Sequence, residues 1–442
     1  MNNKSLKLKA LEKTLRLMSS LVLKKYRPKV IAITGSVGKT STKEAVFTVL
    51  ASFYRVRKSE KNYNNEIGVP LTILGVDSGG RSVWSWLRVI SGGLSLILIP
   101  HKYPEILILE MGADRPGDIS YLTSFIKPSI SIITDISSSH LEFFETIEGV
   151  FNEKIILVRE LEEKGIAILN VDNPHLHKFQ KQFSGKNIKL VGFGYSEEAD
   201  VRSTDVMLNY VGDNSGGKEI RGISFKLNYK GTSIPVRLNN VLARHSVYAA
   251  MAGIAVGIEM GLNLVEIGTA LESYSLPAGR MTLIRGIKKS FIIDDTYNAS
   301  PVSTVAALDV LGETKSLRKI AVLGDMLELG VNTEPGHREV AKKFQKIKGE
   351  IFIAVGARMQ FAVEELKKHN FPENNIFSFR DPMSAGIHLQ KIIQPGDLIL
   401  VKGSQGMRME KIVEEIMAEP RHVREYLCRQ DKKWREKKWK EV

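Results

Sequence analysis

The chain is predicted to be α/β, with a central domain on a doubly wound, mostly parallel sheet and a second α/β domain after it. Three observations point there. The apolar run at 30–33 breaks into the glycine-bounded stretch GSVGKTS at 35–41, and a helical pattern follows. Short apolar strands then alternate with helical segments as far as about residue 240, as in a doubly wound sheet. The same alternation starts again after Pro277 and Gly279 and runs to about Ala418.

In chain order, residues 6–26 have helical periodicity, which predicts an N-terminal helix within 1–28. The segment 30–42 is a P-loop in strand–loop–helix context. Gly35 and Gly38 let the backbone turn so that N–H groups, with Ser36, Val37 and Ser41 beside them, face phosphate oxygens. Lys39 reaches the β- and γ-phosphates, and Thr40 offers a hydroxyl to Mg2+. The positive end of the following helix adds to the same anion site. Ile33 stands where the common motif has its first glycine. A nucleoside triphosphate is therefore expected.

Residues 106–109, 129–134, 166–169 and 190–192 read as buried parallel strands. Alternation with Gly-rich turns between 200 and 238 predicts an antiparallel flank. A helical bridge at 241–276 closes the central domain, assigned to 29–284. Strands at 291–293, 320–323, 351–354 and 398–401 define the second domain, 285–418, and 419–442 reads as a basic helical tail.

The sequence has 442 residues, too many for one ordinary core. A single cysteine, Cys428, excludes a disulfide framework and any Cys-based zinc site, and it fits a reducing cytoplasm. No secretory signal pattern opens the chain. The net charge of +14 calls for an anionic partner. No nucleic-acid-reading element accompanies it, so phosphates and an anionic membrane surface are the partners expected, not nucleic acid.

Asn62, Asn64 and Asn65 in NYNNEIGVP place three amides beside a turn, either a solvated loop or a substrate-orienting one. Glu110 ends a strand, where carboxylates face the ligand crevice, and His140 follows the next strand in the equivalent position. Each alone reads as well as structural; together with Thr40 they form a candidate divalent-ion site.

The motifs GSVGKTSTKE, NYNNEIGVPLTIL, LEMGADRPGDISYL, SSHLEFFETIEGVFNEK, ARHSVYAA, GRM, DDTYNASP, LGDMLELG and VKGSQGMRME follow in this order. The set resembles the Mur ligase family, nearest to its branch that adds D-alanyl-D-alanine to a muramyl tripeptide. That resemblance implies a central ATPase domain and a C-terminal Rossmann-like domain. It implies ATP-dependent amide-bond formation through an acyl phosphate, with a muramyl-peptide precursor and D-Ala-D-Ala as partners and two Mg2+ ions. Lys39, His140 and Lys154 become the catalytic set. Glu110, His140 and a carbamylated Lys154 match the ligands of the second Mg2+. Arg280, Asp295 and Tyr297 match nucleotide contacts, and Asn298 and Ser300 line the same cleft. Asp325, Glu328, Lys402 and Ser404 are candidates for holding the dipeptide. His337 reads as a helix-surface or capping residue.

Three departures from the family pattern qualify this. Only 34 residues precede Gly35, where full-length members carry a uridine-nucleotide-binding domain, so the usual handle on the donor is expected to be missing. Ser246 follows His245 where asparagine is usual, which weakens a contact to adenine. Residues 83–100 look like an insertion, either a buried helical hairpin or an interfacial segment helped by Trp84 and Trp86. The tail, 421–442, sets Trp434 and Trp439 among lysines and is either solvated or grips anionic headgroups. The expectation is a monomeric cytoplasmic ligase, and where these two segments are interfacial the contact is with the inner membrane face. The rivals are a Mur-type ligase with another, possibly lipid-linked, substrate and a non-catalytic ATP-binding scaffold.

Overall fold

The computed structural model describes residues 6–59, 63–80, 82–137, 141–183, 187–212, 218–314 and 318–435. The chain divides into two compact units. The first holds residues 1–206, 224–237 and 245–274; the second holds 207–223, 238–244 and 275–442.

The first part of the chain runs α1 (Leu6–Tyr26), β1 (Lys29–Thr34), α2 (Lys39–Ala51), β2 (Val56–Lys58), α3 (Gly68–Leu74) and α4 (Val83–Leu98). It continues with β3 (Ile106–Glu110), α5 (Asp118–Thr123), β4 (Ile130–Ile133), α6 (Leu141–Phe144), α7 (Ile147–Arg159) and β5 (Ile166–Asn170). Then come α8 (Pro174–Gln182), β6 (Lys189–Gly194), β7 (Val201–Gly212), β8 (Lys218–Tyr229), β9 (Thr232–Asn239), α9 (His245–Glu259) and α10 (Leu264–Leu271).

These strands form one sheet in the order β2-β3-β1-β4-β5-β6-β7-β8-β9. The ladders from β2 to β7 are parallel. β1 is buried from Val30 onward and β3 throughout, as strands covered on both faces must be. Lys230 and Gly231 both have positive φ between β8 and β9, the conformation of a two-residue hairpin turn. The antiparallel flank expected there is thus a hairpin over its last two strands.

Register decides where the chemistry sits. β1 lies between β3 and β4, with Ile33 opposite both Glu110 and Ile132. The turn after β1 and the Glu110 carboxylate therefore emerge side by side at the carboxyl edge of the sheet, where open α/β folds bind ligands.

α1 belongs to this core. Leu15, Met18 and Val22 recur on one face and are buried in a cluster with Val69, Leu71, Leu74 and Val89. Each such side chain stabilises the fold by about 1.5–3 kcal/mol. Residues 83–98 form one continuous helix, not the hairpin considered above: Gly92 and Gly93 do not break α4, because Gly93 is the point where α1 packs closely. A Cβ there would lie 2.2 Å from Met18 Cε.

The second part contains β10 (Thr282–Arg285), β11 (Phe291–Asp295), α11 (Pro301–Glu313), β12 (Arg318–Gly324), α12 (Thr333–Lys346), β13 (Ile351–Val355) and α13 (Gln360–Lys368). β14 (Ile376–Phe379), α14 (Pro382–Ile392), β15 (Asp397–Lys402), α15 (Glu410–Ile416), α16 (Val423–Tyr426) and α17 (Lys432–Arg435) complete it. Its sheet order is β10-β11-β15-β12-β13-β14, with β10 antiparallel and the rest parallel. The longest continuous stretch of this unit runs from Ser275, and β10 pairs with β11 inside it.

The described part of the tail is helical only in short turns, the first a 3-10 turn at Pro420–His422. Two four-residue helices follow, and the tail folds back on its own unit, with Val423 and Leu427 in the second core. Trp439 and residues 436–442 lie outside the described residues.

Candidate active site

Gly35 and Gly38 shape the turn between β1 and α2. Their φ angles are 151° and 84°, conformations that favour glycine. A Cβ on Gly35 would lie 2.0 Å from Thr134 Oγ1, so only glycine lets the loop approach β4. Thr134 locks that approach by donating its hydroxyl to the Val37 carbonyl at 2.5 Å. The Ser36 N–H donates to Asp135 O at 2.9 Å, and Ser36 Oγ accepts from the Ser137 N–H at 3.0 Å. Gly38 is the N-cap of α2 and brings no side chain to cap it, so the first N–H groups of a 13-residue helix stay available to an anion. Val37 is exposed at the tip.

Lys39 folds its ammonium back over the turn and donates to the Gly35 carbonyl at 2.6 Å. The cation is held beside the cradle. Ser41 is tied from behind, since Tyr274 Oη donates to its carbonyl at 3.1 Å.

Thr40 Oγ1 donates to Glu110 Oε1 at 3.3 Å. Glu110 is buried, and its Oε2 has no hydrogen-bond partner; the Lys43 ammonium stands 4.0 Å away. A buried carboxylate oxygen left without a donor is costly unless a cation completes it. That orphaned oxygen beside the Thr40 hydroxyl fits a Mg2+ ion. His140 lies outside the described residues, as does Asn62. Among the described residues, no three His, Cys, Asp or Glu side chains gather as a metal site by themselves.

Lys154 sits on α7 and is only 2% exposed. Burial first, and then the neighbouring Lys39 ammonium, pushes it down to about 8. A lysine held there has a substantial neutral fraction near neutral pH, the form that reacts with CO2. Its neighbour Glu153 points elsewhere and accepts the Gly117 and Ile119 N–H groups at 2.9 and 2.8 Å, which fixes α7 against α5.

Asn64 and Asn65 are placed differently from each other. The Gly112 N–H donates to the Asn64 carbonyl at 2.7 Å, so Asn64 adjoins the end of β3. Asn65 Oδ1 accepts from the Gly68 N–H at 2.9 Å and organises the start of α3.

In the second unit, a set of residues gathers at the ends of β11 and β15. Lys402, almost fully buried, donates to Asp295 Oδ2 at 2.6 Å and to the Asn298 carbonyl at 2.8 Å. Asp295 Oδ1 accepts the Met281 N–H at 3.2 Å, and the Arg280 guanidinium lies 4.2 Å over the Tyr297 ring. Of the other candidates, Ser300, Ser404 and Asp325 are engaged in hydrogen bonds and Glu328 is exposed. Ser300 caps α11 through Ser303. Ser404 Oγ accepts the Leu327 N–H at 2.8 Å, Asp325 accepts the Met359 N–H at 2.8 Å, and Glu328 is exposed with φ of 64°.

His337 is not on a helix surface. It is fully buried, with Nδ1 2.6 Å from the Thr333 carbonyl and Nε2 accepting the Met326 N–H at 3.1 Å. Burial keeps it below the usual imidazole range, and it steadies the loop after β12.

Several residues that matter here escaped the sequence reading. Thr134 and Ser137 clasp the phosphate loop from the segment after β4, and no local pattern marks that contact. Arg429, read above as part of a tail that is either solvated or gripping headgroups, is buried. It donates to the Thr296 and Tyr297 carbonyls at 2.8 and 2.5 Å, so the tail supports the DDTYNASP loop. Ser246, singled out in the sequence for its place after His245, is fully buried with a hydroxyl that finds no partner.

Comparison with known proteins gives the same picture. Residues 33–85 and 88–257 match the Mur ligase middle domain, and 279–405 match the Mur ligase glutamate ligase domain. The chain is 30% identical over 410 residues to the UDP-N-acetylmuramoyl-tripeptide–D-alanyl-D-alanine ligase of Bacillus subtilis, covering 92% of this chain and 79% of that one. It is 32% identical to the enzyme of the same name from Buchnera aphidicola subsp. Baizongia pistaciae, over 88% and 75% of the two chains. Among solved structures it resembles MurF from Acinetobacter baumannii with a TM-score of 0.74 at 26% identity, over 91% of this chain and 79% of that one. It also resembles MurF ligase from Thermotoga maritima in complex with ADP, with a TM-score of 0.71 at 26% identity, over 91% and 83%.

Proposed function

The chain belongs to the Mur ligase family, and from that premise we propose that it joins D-alanyl-D-alanine to a muramyl-tripeptide precursor of peptidoglycan at the expense of ATP. The observation that carries the reading is the glycine-shaped turn whose helix begins with Lys39 and Thr40, set against the buried, half-satisfied Glu110.

The reaction has two steps. A carboxylate oxygen of the muramyl peptide attacks the γ-phosphorus of ATP, the bond to the β,γ-bridging oxygen breaks, and ADP leaves an acyl phosphate. The dipeptide amine then attacks the acyl carbon, loses a proton, and expels inorganic phosphate as the amide forms. Both steps bring anions together, so positioning and charge neutralisation are the protein's main work.

The backbone N–H groups of 35–41 and the start of α2 hold the phosphates. Lys39 offsets charge at the transferring group. Thr40 and Glu110 would hold Mg2+, joined by His140 and by Lys154 carried as its carbamate, which turns a buried cation into an anionic ligand. The metal supplies electrostatic stabilisation of the phosphoryl oxygens. In the second unit, Arg280, Asp295 and Tyr297 are the residues that would contact the nucleotide. Lys402 sets the Asp295 carboxylate and the Asn298 backbone that line it, and we assign the dipeptide to the neighbouring strand ends near Asp325, Glu328 and Ser404. The protein acts as a monomer on the cytoplasmic side.

Phosphate release measured with ATP, muramyl tripeptide and D-Ala-D-Ala tests this. Release that needs both acceptor and donor is expected. Release with a different amine or carboxylate would reassign the substrates, and none with any pair would leave an ATP-binding scaffold.

A further inference from the structure

The outer face of α4 has no function in the ligase reading. Trp84, Leu87, Leu94 and Leu98 recur at three- and four-residue spacing with Ser91 between them, forming one stripe along the helix. Trp84 is 81% and Leu98 76% exposed, and Val83 and Ile99 extend the stripe at its two ends. The opposite face, Val89 and Gly93, is buried against the core. The stripe is thus held outward by packing behind it.

Several polar groups of this segment are already served from within. Lys25 Nζ donates to the carbonyls of Leu96, Ile97 and Ile99 at 2.9, 3.0 and 2.8 Å, and Tyr26 Oη donates to that of Leu96 at 2.9 Å. These are the carbonyls a helix end normally leaves to water. Ser91 Oγ donates to the Arg88 carbonyl at 3.0 Å, Ser95 Oγ pairs with His101 at 3.0 Å, and Trp86 Nε1 donates to the Gly80 carbonyl at 3.1 Å. A helix end sealed in this way can enter a medium without water.

Charge selects the occupant. Residues 78–104 contain no Asp or Glu but do contain Arg81, Arg88 and Lys102, and α1 beside them carries six Lys or Arg against one acid, Glu12. A second copy of the chain would bring a like-charged face. The 16-residue stripe is about 24 Å long and about 10 Å wide, roughly 240 Å2, against about 800 Å2 per partner in a stable protein interface. Among the described residues, no helix is long and apolar enough to cross a membrane.

We propose that α4 is a membrane-docking element whose outer face lies in the headgroup boundary of an anionic lipid bilayer, with Trp84 and Leu98 inserted and Arg88 reaching lipid phosphates. The proposal stands apart from the identity of the ligase substrates.

Flotation of the full chain with vesicles of phosphatidylcholine and phosphatidylglycerol tests it. Binding to these vesicles, weak binding to pure phosphatidylcholine, and at least about tenfold less binding by the Trp84→Glu, Leu98→Glu double variant are expected. The substituted positions are exposed, and an unchanged thermal melt and unchanged ATPase with soluble substrates would show that the variant folds. Three results would overturn the proposal: no binding by the intact chain, binding undiminished in the double variant, or a dimer in solution that the same substitutions dissociate without any vesicle binding.

Discussion

Arg429 donates Nη1 to Glu410 Oε2 at 2.8 Å, and both side chains are buried, Glu410 completely. Glu410 also accepts from Arg408 Nε at 2.5 Å, and Arg408 in turn donates to the Trp434 carbonyl at 2.9 Å. The last described turns of the chain are thereby fastened beneath the 294–298 loop. Removing Arg429 leaves Glu410 paired with Arg408 but takes the donors from Glu410 Oε2 and from the Thr296 and Tyr297 carbonyls, at a cost of about 1–3 kcal/mol. Arg429→Ala should lose about that much in urea denaturation of the second unit, and it should raise the KM for ATP through the loosened Thr296 and Tyr297 carbonyls. A variant as stable as the parent would show that the tail is not structural.

The phosphate turn gives a contrast between two substitutions. Lys39→Ala should lower phosphate release about 10²–10³-fold while leaving the melting temperature nearly unchanged, since its ammonium donates to the Gly35 and Ser36 carbonyls of its own exposed loop. Gly35→Ala must displace Thr134 or the loop itself and should cost about 1–3 kcal/mol as well as nucleotide binding. Isothermal titration with ADP and thermal unfolding separate the two effects.

Lys154 is a buried cation that burial pushes down to about 8. Replacing it by methionine removes a desolvation cost, so stability should hold or rise. Turnover should fall about 10²-fold or more if its carbamate helps hold the metal. Enzyme freed of CO2 should also regain phosphate release when bicarbonate is added. Parent activity indifferent to bicarbonate would remove the carbamate from the mechanism.

Asp294 supplies a pH dependence. It is fully buried, its Oδ1 accepts from Thr296 Oγ1 at 2.6 Å, and its Oδ2 has no partner. Burial raises its carboxyl from 3.8 to about 7. Its folded value lies above its unfolded value, so the unfolded chain releases the proton first. The contribution is complete below about pH 4 and is lost as pH rises through about 7, with a slope of up to about 1.4 kcal/mol per pH unit. The urea midpoint of the parent should fall between pH 5 and pH 8 by more than that of Asp294→Asn. Parallel profiles would place the titration elsewhere.

Much of the candidate site was legible because its signals are local. GSVGKT places glycines, lysine and threonine within one turn, and the strand before it is an unbroken apolar run. Glu110 was legible from its position at a strand end. Clasping by Thr134 and Ser137 was not, since it depends on which strand lies beside β1. His337 sits on α12, whose pattern is amphipathic, and its burial follows from what packs over it. In the basic tail, lysine and arginine pointed to solvent or headgroups, whereas Arg429 is buried against Glu410 and the Thr296 and Tyr297 carbonyls.

By itself the sequence determined the α/β class, the two nucleotide-fold patterns, the family and the phosphate turn, because strand and helix periodicities and glycine-dependent turns are set by neighbours a few residues apart. Only the tertiary structure decided that Glu110 keeps an oxygen without a donor, that Arg429 holds the 294–298 loop, and that α4 turns its apolar stripe outward. Each of those depends on strand order and helix packing between residues far apart in the chain, where desolvation, not local propensity, sets the outcome.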